Sequence, residues 1–163
     1  MDHYFEYCPS RFGYWKICAS DIGITEIKFL GEEEPTEETS PSELTKKAVK
    51  QLAQYFKGSL RIFNLPIDLQ AGTDFQKKIW KELRFIEYGK TTSYQHLANE
   101  IGSPEAVRAV GAANGANPIA ILLPCHRVIG SDGSLTGYAY GLDLKRELLK
   151  REGAVAKSLF DQQ

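Results

Sequence analysis

The sequence predicts an α+β protein with a small N-terminal α/β domain (a sheet plus a helix) and a mostly helical C-terminal domain containing a helix-turn-helix. The first thirty residues contain short runs of aromatic and β-branched residues separated by turn residues, which is typical of strands. After Ala71-Gly72, segments instead open with helix-capping residues and repeat apolar residues at helical spacing. We therefore predict domains at residues 1–70 and 71–163.

Three strands are predicted in the N-terminal domain, at residues 4–8, 14–19 and 23–30, with turns at Pro9-Ser10 and Ser20-Asp21. An acidic stretch over residues 31–38, which carries five glutamates, follows as a solvated linker. A helix then opens with Ser40 as its cap and Glu43 completing a capping box, and it ends at Gly58. Its apolar face is expected to bury Leu44, Ala48, Leu52 and Tyr55.

Three further helices are predicted from residue 73 onward. A capping box at Thr73…Gln76 opens the first, and another at Thr92…Gln95 opens a short helix that ends before Gly102. The third follows directly after Gly102, with Ser103-Pro104-Glu105 as its cap, and runs to about Ala113. The last two form the outline of a helix-turn-helix, in a winged-helix-like domain. Any pair of packed helices gives a similar outline, so this pattern alone also fits a plain helical bundle.

The second helix of this pair consists mostly of Ala, Val and Gly, and Arg108 is its one long charged side chain. Small residues allow a helix backbone to approach another molecule closely. An arginine can fill a gap in a base stack and hydrogen-bond the base left unpaired. The net charge of the chain is −1, which does not by itself indicate a nucleic-acid binder. It is divided unevenly: residues 1–72 carry 8 basic against 11 acidic side chains, and residues 73–153 carry 11 against 9.

The residues most suited to a catalytic role lie between Asn117 and Val128. Asn117-Pro118 ends the helical pattern, and an apolar stretch that we predict to be a buried strand leads to Pro124 and Cys125. A cysteine followed by His126 and Arg127 fits an activated thiolate, although a small inert core residue is the commoner role of a free cysteine. Adjacent residues of a strand point to opposite faces, so His126 can serve Cys125 only across a turn or through a water molecule.

The three cysteines are odd in number and widely spaced, which argues against a disulfide framework and fits a reduced, intracellular setting. Cys8, Cys18 and His3 could hold a metal in principle, but we interpret the two thiols as packed core residues. No second Cys or His accompanies Cys125-His126 at zinc-like spacing, so no metal is predicted. No apolar run is long enough to span a bilayer.

The run Pro124-Cys125-His126-Arg127-Val128 resembles the active-site motif of the O6-alkylguanine-DNA alkyltransferases, also called methylated-DNA–protein-cysteine methyltransferases. The resemblance covers roughly residues 70–155, because several further motifs follow in the family's order and spacing: residues 72–76 with Ile79-Trp80, residues 92–95, 108–111, Asn117-Pro118, Gly137-Tyr138 and residues 148–153.

The resemblance implies a repair reaction in which Cys125 accepts an alkyl group from O6-alkylguanine, and also from O4-alkylthymine, in double-stranded DNA. The product is a stable thioether, so each molecule reacts once. His126 is implied as a base acting through a water molecule and held by Glu152, in the logic of a catalytic triad. Tyr138 is implied as the proton donor to the leaving guanine, and Asn117 as a residue that fixes the cysteine loop by hydrogen bonds. No cofactor is implied.

The resemblance also implies that the target base is flipped out of the duplex. Arg108 is expected in the vacated stack and Tyr94 beside the phosphate of the flipped nucleotide. The other implied DNA-contacting residues are Ser93, Ala109, Gly111, Ala112 and Arg127. A monomeric protein is expected, in the cytoplasm, or in the nucleus if the source is eukaryotic.

Three positions depart from the family pattern. Tyr140 occupies a place at the pocket wall where many members have a small residue, Ala139 replaces a common serine, and Ala120 replaces a proline found in some members. These differences affect the alkyl groups that are accepted. Three alternatives remain. The first is a lesion-binding relative without transfer, against which Cys125 argues, and the second is a helix-turn-helix regulator, which would need long polar residues on its second helix. The third is a Cys-His hydrolase, for which the sequence offers no clear oxyanion donor.

Overall fold

The computed structural model describes residues 3–154, which form two compact units. The first unit contains residues 3–71 together with residues 118–120, and the second contains residues 72–117 and 121–154. Residues 118–120 therefore leave the second half of the chain to join the first unit. An α+β fold with a sheet and helix first and a helical part second is confirmed.

The first unit is built on an antiparallel sheet of three strands in the order β1 (Tyr4–Ser10), β2 (Gly13–Ala19) and β3 (Ile24–Gly31). Helix α1 (Glu43–Phe56) packs on one face of this sheet, where Phe56 lies with its ring 5.5 Å from that of Trp15. Residues 118–120 reach the edge strand β3, because Ile119 pairs with Ile27 in a single parallel bridge. The chain turns at Arg11-Phe12 and not at Pro9-Ser10, which lie inside β1.

The predicted cap of α1 at Ser40 is wrong. Ser42 is the N-cap, and its hydroxyl accepts from Thr45 N while Thr45 Oγ1 accepts from Ser42 N. Ser40 is unavailable because its backbone N–H and C=O both pair with Phe5 of β1. Helix α1 buries Ala48, Leu52 and Tyr55 as predicted, but Leu44 is only half-buried.

The second unit contains helices α2 (Asp74–Leu83), α3 (Tyr94–Glu100), α4 (Val107–Gly115) and α5 (Leu142–Glu152). Two short strands, β4 (Thr92–Ser93) and β5 (Val128–Ile129), pair in parallel. Helices α3 and α4 pack together as the predicted helix-turn-helix, and α2 packs against α4. The indole N–H of Trp80 donates to Ala113 O at 2.7 Å and so links α2 to α4.

One of the three capping predictions for the second unit is correct, since Thr73 and Gln76 form a capping box. The predicted box at Thr92…Gln95 is wrong, because Thr92 pairs with Val128 in the sheet and Ser93 alone caps α3, accepting from His96 N. The predicted cap at Ser103 is also wrong. Helix α4 begins four residues later, at Val107, with no side-chain cap, because Ser103 O accepts from Ala106 N in the inter-helix turn.

The buried strand that we predicted before Pro124 does not form. Ile119 forms an isolated bridge with Ile27, and Ile121 then takes a positive φ of 73°, which is strained for a β-branched residue. Residues 119–121 are nevertheless buried, as the apolar run predicted. Among residues 3–154, no helix has the length and apolar character needed to cross a membrane.

Candidate active site

Cys125 begins a single 3-10 turn, Cys125–Arg127, directly after Pro124. Two side-chain amides, one from the last turn of α4 and one just after that helix, hold this turn and the chain before it. Asn114 Nδ2 donates to Cys125 O at 3.2 Å, and Asn117 Nδ2 donates to Leu123 O at 2.7 Å. The position of the cysteine is therefore fixed by hydrogen bonds to its own backbone and to the preceding residues.

A pocket of about 390 Å³ opens beside Cys125. This volume lies within the range of about 300–1,000 Å³ that is usual for small-molecule sites. Tyr94, Gly111 and Tyr138 line it together with Cys125, and Tyr140 forms part of the wall with its ring 5.5 Å from that of Tyr138. The walls expose more apolar than polar surface, as a site for a flat aromatic ring requires.

The 3-10 turn and the last turn of α5 bring together His126, Arg127 and Glu152, and all three are buried. His126 Nε2 lies 2.8 Å from Glu152 Oε2, and Arg127 Nε donates to Glu152 Oε1 at 2.9 Å. The other ring nitrogen of His126, Nδ1, is buried and has no hydrogen-bond partner within the described part of the chain.

Burial and charge set the protonation states of this group. Burial raises the pKa of the Cys125 thiol, and Asn117 and Lys145 offset only part of that effect, so the resting side chain is a neutral thiol at neutral pH. Burial lowers the pKa of His126 against the opposing effect of Glu152. Burial alone would raise the pKa of Glu152, but His126 and Arg127 together hold it at about 2, so Glu152 is ionised.

Sequence reasoning missed Lys145, which is fully buried beside the pocket. Its Nζ donates to three backbone carbonyls, those of Val128 at 2.6 Å, Gly137 at 3.0 Å and Thr136 at 3.1 Å. Burial lowers the pKa of Lys145 to about 8. The sequence does carry a signal for this residue, because Lys145 lies seven positions before Glu152 on the face of α5 that also holds Leu148 and Leu149.

The residues expected to contact DNA divide into two groups. Arg108, Ala109 and Ala112 lie on the exposed side of α4, where Arg108 is the one long side chain of that helix. Gly111 and Tyr94 line the pocket, and Tyr94 Oη donates to Thr136 O at 2.7 Å. Ser93 is engaged as the N-cap of α3.

Arg127, the remaining residue of that set, does not lie where DNA could reach its charge. Its side chain is buried, its guanidinium pairs with Glu152, and its Nη1 donates to Ile86 O at 2.7 Å. This arrangement contradicts the expected contact between Arg127 and DNA, because the protein occupies each side of the guanidinium.

The N-terminal cysteines lie on opposite faces of the sheet. Cys8 faces the core, as predicted, but Cys18 faces away from it and lies 3.5 Å from Glu26 Oε1. Burial raises the pKa of each thiol to about 11, so both are poor nucleophiles at neutral pH. Within residues 3–154, no group of three or more His, Cys, Asp and Glu side chains lies together as a metal site.

A helix-turn-helix beside a pocket lined by Cys125, with a buried histidine–glutamate pair next to that cysteine in the chain fold, defines a class: DNA-binding proteins with a nucleophilic thiol. Family models agree with this class over nearly the whole chain. Residues 74–154 match the DNA-binding domain of 6-O-methylguanine DNA methyltransferase, and residues 3–69 match its ribonuclease-like domain. The chain belongs to the O6-methylguanine DNA methyltransferase family.

Individual relatives support this assignment. The chain is 45% identical over 153 residues to the methylated-DNA–protein-cysteine methyltransferase of Methanosarcina barkeri, covering 91% of this chain and 96% of the relative. It is 55% identical over 117 residues to the protein of that name from Mycobacterium bovis, covering 70% of each. The crystal structure of Mycobacterium tuberculosis OGT in complex with DNA superposes with a TM-score of 0.83 at 44% identity, covering 92% of both chains.

Proposed function

We propose that this protein repairs DNA by direct reversal, transferring a methyl or larger alkyl group from O6 of guanine, or O4 of thymine, to Sγ of Cys125. The observation that carries the proposal is the position of Cys125 in a pocket of base-accepting size, beside the buried His126–Glu152 pair. Family membership supports the same reaction. DNA is the partner, and the alkylated base within it is the substrate.

The chemistry follows from the protonation states. Cys125 rests as a thiol, so a base must remove its proton as sulfur attacks. His126 is that base: Nε2 donates its hydrogen to ionised Glu152, which leaves Nδ1 with a free lone pair. A water molecule carries the proton from Sγ to Nδ1. A carbon–sulfur bond forms and the carbon–oxygen bond to guanine breaks, and the thioether has no easy hydrolytic exit.

The departing guanine needs a proton, and its proposed donor is Tyr138, whose position in the lining of the pocket with Cys125 supports this role. Asn117 acts on the same reaction by holding the chain before the cysteine. Tyr94 also lines the pocket, and it is expected to crowd the phosphate of the flipped nucleotide. Tyr140 lies against Tyr138 in the pocket wall, and we expect its ring to narrow the pocket and so to limit the size of the alkyl group.

The duplex is engaged through α4. A flipped base leaves a gap in the stack, and Arg108 is the long side chain on the exposed side of that helix that could fill it. Ala109 and Ala112 allow the helix into the minor groove, and Ser93 and Gly111 flank Tyr94. We propose that the protein acts as a monomer in the cytoplasm of its source cell.

Intact-protein mass spectrometry tests the reaction. After incubation with duplex DNA that carries O6-methylguanine, the mass should rise by one methylene unit, and peptide mapping should place the change on Cys125. The matched variant Cys125→Ser should bind the same DNA without gaining mass. Modification mainly at Cys8 or Cys18, or turnover beyond one equivalent, would contradict the proposal, and binding without transfer by the parent would favour a lesion-binding role.

A further inference from the structure

The guanidinium of Arg127 is fixed by contacts on all of its nitrogens. Nε and Nη2 donate to the two oxygens of Glu152, at 2.9 and 3.1 Å, and Nη1 donates to Ile86 O at 2.7 Å. The ring of Tyr88 lies 5.6 Å from the guanidinium carbon. A two-bond fork of this kind fixes both the position and the rotation of the carboxylate.

One oxygen of Glu152 is shared. Oε2 accepts from Arg127 Nη2 at 3.1 Å and lies 2.8 Å from His126 Nε2. The negative charge of Glu152 is therefore divided between a permanent cation and an imidazole. An isolated carboxylate at that distance would strongly favour the imidazolium form, because an opposite charge within hydrogen-bond reach stabilises the charged state of a histidine.

We propose that Arg127 is a positioning residue that neutralises Glu152 and so keeps His126 as the uncharged imidazole that accepts the thiol proton. This inference rests on the function proposed above, since it assigns His126 the role of base. It gives Arg127 a part in the reaction without any contact to DNA or to the alkylated base.

The charged groups around His126 support this role. Glu152 and Lys145 face it from α5, and Arg127 and Cys125 share its 3-10 turn. Because Arg127 and Glu152 offset one another, the remaining cation, Lys145, disfavours a positive charge on the ring. Arg127 and Lys145 both lower the pKa of His126, in addition to the larger effect of burial.

The geometry of the fork also selects the tautomer of the ring. With Glu152 ionised and rotated so that Oε2 faces Nε2, the hydrogen of the neutral imidazole resides on Nε2. The lone pair is then on Nδ1, the nitrogen that the proton from Cys125 must reach. A carboxylate free to rotate would hold neither the distance nor the tautomer.

Arg127→Met removes the charge and keeps an unbranched stem, whereas Arg127→Lys keeps the charge and loses the fork. In Arg127→Met, Glu152 acts on His126 without the cation that is paired with its carboxylate, so the pKa of His126 should rise by about one unit or more. In a plot of transfer rate against pH, the acid limb should move to higher pH by the same amount. Arg127→Lys should keep the parental acid limb and lower only the plateau rate.

The measurements are the single-turnover rate on methylated duplex between pH 5.5 and 9.5 and the nitrogen NMR shifts of the histidine rings. The ring signals of His96, which is exposed, are the internal control and should be the same in every variant. Arg127→Gln, which is neutral but still able to donate to Glu152, should show the same upward shift and replaces Arg127→Met if that variant does not fold. In a Glu152→Gln background, the same substitution of Arg127 should raise the pKa of His126 by a smaller amount.

An unchanged His126 titration in a folded, neutral variant of Arg127 would overturn the inference. An equal shift in Arg127→Lys would do the same, because it would assign the effect to packing and not to charge. If the parent transfers no alkyl group, the proposed function fails. The NMR titration then still decides whether Arg127 controls the charge on His126.

Discussion

At the scale of single residues, Cys125 and His126 are adjacent in sequence, yet no direct bond joins His126 Nδ1 to the thiol. In a 3-10 turn each residue rotates by about a third of a turn, so neighbouring side chains diverge. In the proposed reaction, a bridging water carries the proton from Sγ to Nδ1. Since both groups rest uncharged, the proposed reaction links the transfer of this proton to the attack of sulfur on carbon.

Replacing Glu152 by glutamine tests the part of the carboxylate in this step. Glu152→Gln keeps the shape but removes the charge that stabilises a protonated His126, so the transfer rate should fall at least about tenfold. Single-turnover kinetics on methylated duplex across neutral pH measure this. The matched control is Glu147→Gln on the same helix, which should react like the parent. Parental kinetics in a folded Glu152→Gln protein would remove Glu152 from the mechanism.

Lys145 supports the pocket by bonding to three carbonyls of the chain around it, and its replacement should be costly. Lys145→Met removes the donor shared by the carbonyls of Val128, Thr136 and Gly137. Thr136 O keeps the hydrogen bond from Tyr94 Oη, whereas the loss at Val128 O and Gly137 O carries a penalty of about 1–3 kcal/mol for each group left unpaired. We expect a lower melting temperature and a transfer rate reduced at least about tenfold. The matched control is Lys150→Met on the exposed side of α5. A variant with parental rate and melting temperature would contradict this.

At the scale of elements, α4 separates two tasks on two faces. Val110, Ala113 and Asn114 face the interior, and Asn114 holds the backbone of Cys125. Arg108, Ala109 and Ala112 lie outward. The DNA engagement that we propose and the placement of the thiol thus involve different residues of one helix.

This separation predicts that Arg108 acts on the base stack and not on the chemistry. Arg108→Ala should transfer far more slowly from duplex DNA, because unstacking a base costs a few kcal/mol that the side chain offsets. Reaction with a free base such as benzylated guanine should stay near the parental rate, provided that Tyr140 leaves room for it. The measurement is the pair of second-order rates. Glu105→Ala, in the turn before α4, is the control for an exposed change nearby.

Equal losses on duplex and on free base would mean that Arg108 shapes the active site or the fold. A loss confined to the duplex would also distinguish repair from the regulator alternative. A regulator would show no dependence on the lesion.

The elements also show what the sequence could predict. Strands, helices and the order of the two parts followed from local patterns, and so did the capping box at Thr73. Caps at Ser40 and Thr92 failed because their backbones pair with distant strands, a tertiary contact that no local pattern contains. The same limit applies to Arg127 and Lys145, whose partners lie 25 and 17 residues away in sequence. Motif resemblance placed Cys125, His126 and Glu152 together before any geometry was known.

At the scale of the whole molecule, the buried charges of the second unit make its stability depend on pH. Glu152 has a pKa of about 2 in the folded protein against a reference value of 4.5. A depressed carboxyl pKa contributes stability that is complete above the unfolded value and is lost as pH falls toward the folded one. The contribution of roughly 3 kcal/mol should therefore disappear between pH 4.5 and 2.

Each unit contains one tryptophan, Trp15 in the first and Trp80 in the second, which allows the units to be followed separately. In a Trp15→Phe background, the fluorescence of Trp80 during urea unfolding reports the second unit. Its unfolding free energy should fall steeply from pH 4.5 to 2. Adding Glu152→Gln should lower that free energy at pH 7 by about 3–5 kcal/mol, because Arg127 is left buried without a counter-charge. The dependence on pH in the acid window should then become shallower. Glu105→Gln, at an exposed site in the same unit, is the control and should leave the slope of unfolding free energy against pH unchanged. An equally steep slope in the Glu152→Gln variant would show that Glu152 is not the group that titrates.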